Sequence, residues 1–222
     1  MPDPVTLEDV KRRQDVKTYI ARCDRNMEAI GYTEHGFRHS EITAERARAI
    51  MRSLGRSPRE AELAAIAGYL HDIGNVATRE DHGQIAVMIS YDILKEMGMP
   101  PEELAEIMAG VGNHEEQYGD PFGPVAAAVI IADKSDVARS RVRDIHPSRY
   151  DEHDRVNYAT MSSAVKVNGE RTVVSLHLEI DTEIASIMEY FELFLHRMVM
   201  SRRAAEVLGC QFELIINDTK LL

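Results

Sequence analysis

Ser57, Pro58 and Glu60 place an N-cap, a first-turn proline and a capping-box carboxylate in the order that a helix start requires, and Leu63, Ile66, Ala67 and Leu70 continue as one apolar stripe toward His71. A stripe of that kind has to lie against other helices, and the flanking sequence supplies them. Ala47, Ile50, Met51 and Leu54 before Gly55 mark a preceding helix, and Ile85, Ala86, Ile89 and Ile93 before Gly98 mark a following one. Pro100 and Pro101 open another, carrying Leu104, Ile107, Met108 and Val111 toward His114. After the turn region Gly119 to Pro124, a further helix is expected from Val125 to about Val137. From Leu7 to about Val137 the chain therefore reads as successive amphipathic helices, and the expected class is mainly α, a helical bundle.

The periodicity changes after about Asp154. Val174, Leu176, Leu178 and Ile180 alternate with Ser175, His177, Glu179 and Asp181, and Asn168 and Gly169 supply a hairpin turn after the run Ala164 to Val167. Ile184, Ile187, Met188, Phe191, Leu195 and Met198 return to helical spacing, as core or as a dimer contact, and Phe212, Leu214 and Ile216 alternate again. These features predict a small β-β-α-β appendage over 155–222, joined to a helical domain over 1–140 by a charged connection at 141–154 that includes Pro147.

With 222 residues, 44% of them hydrophobic, the chain can bury a core without staples, and Cys23 and Cys210 are too far apart in sequence to suggest a metal or redox pair. The longest apolar run, Val125 to Ala132, is far short of the roughly 20 residues that cross a membrane, and Met1 to Arg13 has no signal-peptide core. Cytoplasm is the expected compartment, with no membrane partner. A formal charge of −11 argues against a sequence-independent grip on nucleic-acid duplexes but leaves room for a small phosphorylated ligand held by a few local cations.

Five of the nine histidines, His35, His39, His71, His82 and His114, fall at expected helix starts or ends. His71 follows the stripe of its helix inward, with Asp72 beside it, and His114 follows Val111 by three residues. Asp133 shares a buried face with Val129, Ile130 and Val137, where an unpaired carboxylate would cost several kcal/mol. A cation, an arginine or a metal is the expected compensation. Imidazole and carboxylate together suit divalent iron, manganese, zinc, cobalt or nickel, and such an ion polarises phosphoryl oxygens and activates water.

His39, the doublet His71-Asp72 in YLHDIGN and Asp133 in IIADKSD resemble the HD superfamily of metal-dependent phosphohydrolases, over roughly Gly36 to Val137. His82 in EDHGQIA and His114 in GNHEEQYG resemble the extra histidines of its binuclear branch. The resemblance implies that His39, His71, Asp72 and Asp133 hold one ion while His82 and His114, with Asp72 bridging, hold a second, iron or manganese being favoured. It further implies water attack on the phosphorus of a nucleotide-like substrate, a phosphomonoester or phosphoanhydride, with His71, Asp72 and Lys134 as catalytic residues.

Lys134 and Arg79 are the expected phosphate-binding cations, although a solvated surface position is the commoner fate of an arginine such as Arg79. Asn113 precedes His114 and no Gly-Tyr-Pro follows, so the pattern departs from the cyclic-dinucleotide phosphodiesterases of the HD-GYP type. It lies closer to the branch that cleaves diadenosine polyphosphates or to other nucleotide-hydrolysing members. His35 is expected beside the site or at the surface, and Arg139, Arg141 and Arg143 as a solvated run. His146, His153, His177 and His196 are given no role. The competing reading is a signalling or scaffold protein whose metal site is structural or only binds a nucleotide; the apolar stripe of the appendage allows a homodimer, and the appendage could equally regulate or restrict access to the site.

Overall fold

The computed structural model describes residues 3–144 and 146–221. Met1 and Leu222, at the outer bounds of the expected division, and Ile145, inside the expected connection, lie outside the described residues. The bundle comprises α1 (Leu7–Arg12), α2 (Gln14–Ala29), α3 (Phe37–Ser53), α4 (Pro58–Leu70), α5 (His82–Glu96), α6 (Pro101–Gly112) and α7 (Gly123–Lys134). Ser57 and Glu60 form the expected reciprocal cap on α4, which typically contributes about 1 kcal/mol, and Thr6 with Asp9 caps α1 in the same way.

Two helices depart from the amphipathic expectation. In α4 the run Leu63 to Leu70 is buried on every side, and in α7 so is Val125 to Ala132. A helix buried all round is a central helix; α3, α6 and the later helix Ile187–Val207 pack on α7, and α3 and α6 also pack on α4. The alanines Ala64, Ala65 and Ala67, and Ala126, Ala127 and Ala128, keep those packing surfaces shallow. Helix α7 ends at Lys134, three residues earlier than the apolar spacing implied, because Ser135 to Val137 close it in a tight turn, with the Asp136 N–H donating to the Asp133 carbonyl.

Beyond the bundle come α8 (Glu152–Ala159), β1 (Thr160–Val167), β2 (Val173–Ile180), α9 (Ile187–Val207), β3 (Gln211–Ile216) and β4 (Thr219–Lys220). The strand order is β1-β2-β3-β4, with β1 and β2 antiparallel, β2 and β3 parallel across α9, and β3 and β4 antiparallel. The β-β-α-β expectation thus holds with a short fourth strand added. Val165 opposite Leu176 opposite Leu214, and Val167 opposite Val174 opposite Phe212, set one apolar face against α9.

Three local expectations are corrected. β1 begins at Thr160 rather than Ala164, and the hairpin loop is no two-residue Asn-Gly turn. The Asn168 Oδ1 accepts from the Thr172 and Val173 N–H groups and closes a five-residue loop. The arginine run is not solvated: Arg141 is 3% exposed and donates to the backbone oxygens of Asp136 and Glu34, Arg143 is anchored on Asp24, and Arg139 stacks on Tyr158. On α9, Tyr190, Phe194 and Met198 are buried while Met188 and Leu195 are exposed, so the expected stripe divides between core and surface. Arg46 of α3 donates to the Ser135 Oγ and the Ser163 carbonyl, tying the bundle, the end of α7 and the sheet together. No helix among the described residues is long and apolar enough to cross a membrane.

Candidate metal centre

Helix ends from five segments converge at one end of the bundle: the first turns of α3 (His39) and α5 (His82), the residues just past the ends of α4 (His71, Asp72) and α6 (His114), and the last turn of α7 (Asp133). The last carbonyls of a helix lack intrahelical donors, and the histidines use them. The His71 Nδ1–H donates to the Gly68 carbonyl at 2.7 Å and the His114 Nδ1–H to the Val111 carbonyl at 2.6 Å, while His82 uses the Arg79 carbonyl of the preceding loop at 3.0 Å. Each bond commits Nδ1 as a donor and turns Nε2, with its lone pair, into the cavity.

The Nε2 atoms then meet in pairs. Those of His39 and His71 are 3.2 Å apart, and those of His82 and His114 are 2.9 Å apart. Two lone pairs facing each other at such distances repel unless a proton or a cation lies between them. Asp72 stands between the pairs. Its Oδ2 is 3.7 Å from His39 and 3.5 Å from His71, and its Oδ1 is 3.1 Å from His82 and 3.6 Å from His114. The two triads His39, His71, Asp72 and Asp72, His82, His114 therefore share this one carboxylate, an oxygen to each. Asn75 holds it in orientation by donating to Oδ1 at 3.0 Å.

Asp133 joins the first triad, its Oδ1 at 3.2 Å from the His39 Nε2 and 3.7 Å from that of His71. The donor set is nitrogen and carboxylate oxygen only, buried except for the partly exposed Asp133, and fits divalent transition ions. Burial alone would raise the Asp72 carboxyl, but His71, His114 and His82 hold it well below the usual carboxylate range. Lys134, His39 and His71 do the same for Asp133.

The expected cations are both here. Lys134 is 7% exposed, with Nζ 2.8 Å from Asp133 Oδ2 and 3.7 Å from Glu116, which in turn accepts from Arg197 of α9. Arg79 lies closer to the centre than a surface residue would: its Nη1 is 3.3 Å from Asn75 Oδ1 and 3.2 Å from His82 Nε2, and its guanidinium covers the Tyr32 ring. His35 packs edge-on against His39 and contacts Arg141, outside both triads.

Two acids at the centre were not singled out from the sequence. Glu115 accepts from the Gly83 N–H, with its other oxygen 3.3 Å from His82 Nδ1, and Asp136 accepts from His39 Nδ1. The available signals were adjacency to His114 for the one and, for the other, an acid three residues after Asp133 with Arg38 beside His39.

Residues 36–138 match the family model described as the HD domain. This segment is an HD domain. The match starts just before His39 and ends just after Asp136, so it spans every side chain of the two triads. Among solved structures, the chain is similar to a predicted HD superfamily hydrolase from an uncultured Thermotogales bacterium, at 19% identity and a TM-score of 0.46, over 60% of this chain and 75% of that one. No curated protein sequence matches. An HD domain implies divalent-metal binding and supports a metal-dependent hydrolase.

The protonation of the metal-free HD domain gives a testable pH dependence. Burial disfavours charge on His82, but hydrogen bonds to Asp72 and Glu115 outweigh it and push its pKa up to about 9; burial, reinforced by His71 and His82, pushes His114 down to about 4 against the pull of Asp72. His82, raised above the ordinary 6.5, contributes stability that is complete below about pH 6.5 and lost as pH climbs toward 9. His114, depressed below 6.5, contributes stability present above that value and lost as pH falls toward 4. Melting of the metal-free protein should therefore peak near pH 6.5, and His82→Asn should flatten the alkaline limb and, by removing one of the groups that depress His114, soften the acid limb as well. An alkaline limb unchanged in that variant would show that His82 is not the titrating group.

Proposed function

We propose that this protein is a metal-dependent phosphohydrolase that cleaves a phosphomonoester or phosphoanhydride of a nucleotide-like small molecule with water activated at a two-ion centre. The observation that carries this reading is Asp72, one carboxylate whose two oxygens each face a separate pair of inward imidazole nitrogens. His39, His71 and Asp133 with Asp72 would hold one ion, and His82 and His114 with Asp72 the other. When bound, two such ions polarise the phosphoryl group and lower the pKa of bound water to about 7.

The remaining work falls to the chain. Asn75 fixes the bridging carboxylate, and the Nδ1 partners fix the imidazoles, so the donor set needs little rearrangement. Lys134 and Arg79 place positive charge beside the first and second triads respectively, where they would meet the non-bridging oxygens of a phosphoryl group. Tyr32, 43% exposed, lies beneath Arg79 and supports its guanidinium at the same rim. Iron or manganese is the favoured pair of ions for this mixed set.

The test is elemental analysis of anaerobically purified, tag-free protein, combined with turnover of a panel of nucleotides, dinucleoside polyphosphates and aryl phosphates. Close to two transition ions per chain are expected, with turnover abolished by chelation and restored by iron or manganese. Firmly held metal with no turnover across the panel would favour the scaffold reading.

A further inference from the structure

The four imidazoles of the two triads are held in different ways, and the exception is His39. His71 and His114 sit at helix C-termini, where a carbonyl three residues back is free to accept from Nδ1. His39 lies in the first turn of α3, where free groups are N–H donors and the Gly36 carbonyl already accepts from the Ser40 N–H. Its Nδ1 therefore needs an acceptor from elsewhere, and the chain supplies a full carboxylate. The Asp136 Oδ2 accepts from it at 2.8 Å, with both side chains buried.

Asp136 is itself clamped. Arg38 donates to both of its oxygens at 3.0 and 3.1 Å, Arg141 Nε lies 3.7 Å from Oδ2, and Arg141 Nη1 donates to the Asp136 carbonyl at 2.9 Å. Burying a carboxylate costs several kcal/mol unless it is paired and hydrogen-bonded, and two of the other histidines are oriented by backbone oxygens alone. His82 comes nearest to an exception, since Glu115 lies 3.3 Å from its Nδ1, farther away than the Arg79 carbonyl that accepts from it. A carboxylate behind a ligating imidazole fixes its ring and strengthens its donor nitrogen.

We propose that Asp136 is a positioning residue for the metal centre: through His39 it makes the His39, His71, Asp72 and Asp133 subsite the tighter of the two, so that this subsite fills first and the His82 and His114 subsite fills second. The donor count points the same way, with two carboxylates facing the first imidazole pair and one facing the second. This inference rests on the two-ion reading of the centre.

The experiment is a stepwise titration of the metal-free full-length chain with manganese, followed by calorimetry and by the electron paramagnetic resonance of the free ion. The unaltered protein should show a tight and a loose step. Asp136→Asn keeps the shape but removes the charge, and should weaken the tight step by about 10- to 100-fold while leaving the loose step in place; the metal-free melting temperature should fall as well, because Arg38 and the buried Arg141 lose their anionic partner. Glu115→Gln should weaken the loose step alone. Should Asp136→Asn fail to fold, Arg38→Gln, which frees one side of the Asp136 clamp at a partly exposed position, should weaken the tight step in the same direction.

A tight step within twofold of the unaltered protein in Asp136→Asn, or in Arg38→Gln when it stands in, overturns the proposal and leaves the two-ion centre standing. So does a titration of the unaltered protein with two indistinguishable steps. Failure of that protein to bind manganese at all would overturn the two-ion reading and this inference with it.

Discussion

Asp72→Ala should remove both metal equivalents and lower turnover by at least about a thousandfold, while helix content stays close to that of the unaltered protein. The reason is geometric. Asp72 is the only side chain common to both triads, so its loss strips the second subsite of its carboxylate and the first of one of its two, leaving Asp133 there with two imidazoles and no bridge. It leaves the Nε2 atoms of His39 and His71 at 3.2 Å, and those of His82 and His114 at 2.9 Å, facing each other without the carboxylate that lies between them.

The fold should survive because Asp72 follows the end of α4, and its side chain is surrounded by polar groups rather than by core. No apolar cavity opens, and the Asn75 side chain keeps one acceptor in the residue 72 backbone carbonyl. Asp72→Asn separates charge from shape: it is expected to lose metal nearly as completely, since an amide is a poor bridging ligand. Elemental analysis, circular dichroism and turnover on the same preparations check these outcomes. Two ions retained in Asp72→Ala, or unchanged turnover, would remove Asp72 from the centre of the mechanism.

How much of this centre could be read in advance depended on whether a signal was local. The cap at Ser57 and Glu60 is local, and it is where the sequence placed it. The inward direction of Asp133 is also local, because the spacing from Val129 and Ile130 lies within one helix. That His39, His82 and His114 meet around Asp72 is not local: the pairs lie 32 residues apart on separate helices, and only the resemblance to HD proteins connected them.

Asp136 lies beyond the end of α7, where helical periodicity no longer predicts direction, and its partners Arg38 and His39 come from almost a hundred residues earlier. Arg141 and Arg143 looked solvated for the same reason. Their acceptors, the Glu34 carbonyl and Asp24, are more than a hundred residues away in sequence. The all-round burial of α4 and α7 likewise belongs to the packing, since a rich apolar run does not state how many neighbours will surround it.

Gly74→Ala carries the second large expectation, through a residue that coordinates nothing. The short 3₁₀ helix Ile73–Val76 after Asp72 is pressed against the first turn of α5. A Cβ at Gly74 would stand 2.7 Å from the Ala86 nitrogen and still deeper inside the His82 carbonyl, both backbone atoms that cannot swing aside. Strain of this kind typically costs about 1–3 kcal/mol, and relief here requires α5 to move as a body. For a chain of this length that corresponds to a fall in melting temperature of roughly 2–4 °C per kcal/mol.

The displacement would have a second effect, because His82 is the first residue of α5 and Gly83 beside it anchors Glu115. Drawing that turn away from Gly74 carries the His82 Nε2 off its 3.1 Å approach to Asp72, while His39, His71 and Asp133, held on α3, α4 and α7, remain in place. Gly74→Ala should thus melt several degrees lower and retain about one metal equivalent instead of two. A variant that melts within about 1 °C of the unaltered protein and still binds both would show that α5 tolerates the methyl group. The close approach at Gly74 would then not be what sets the position of His82.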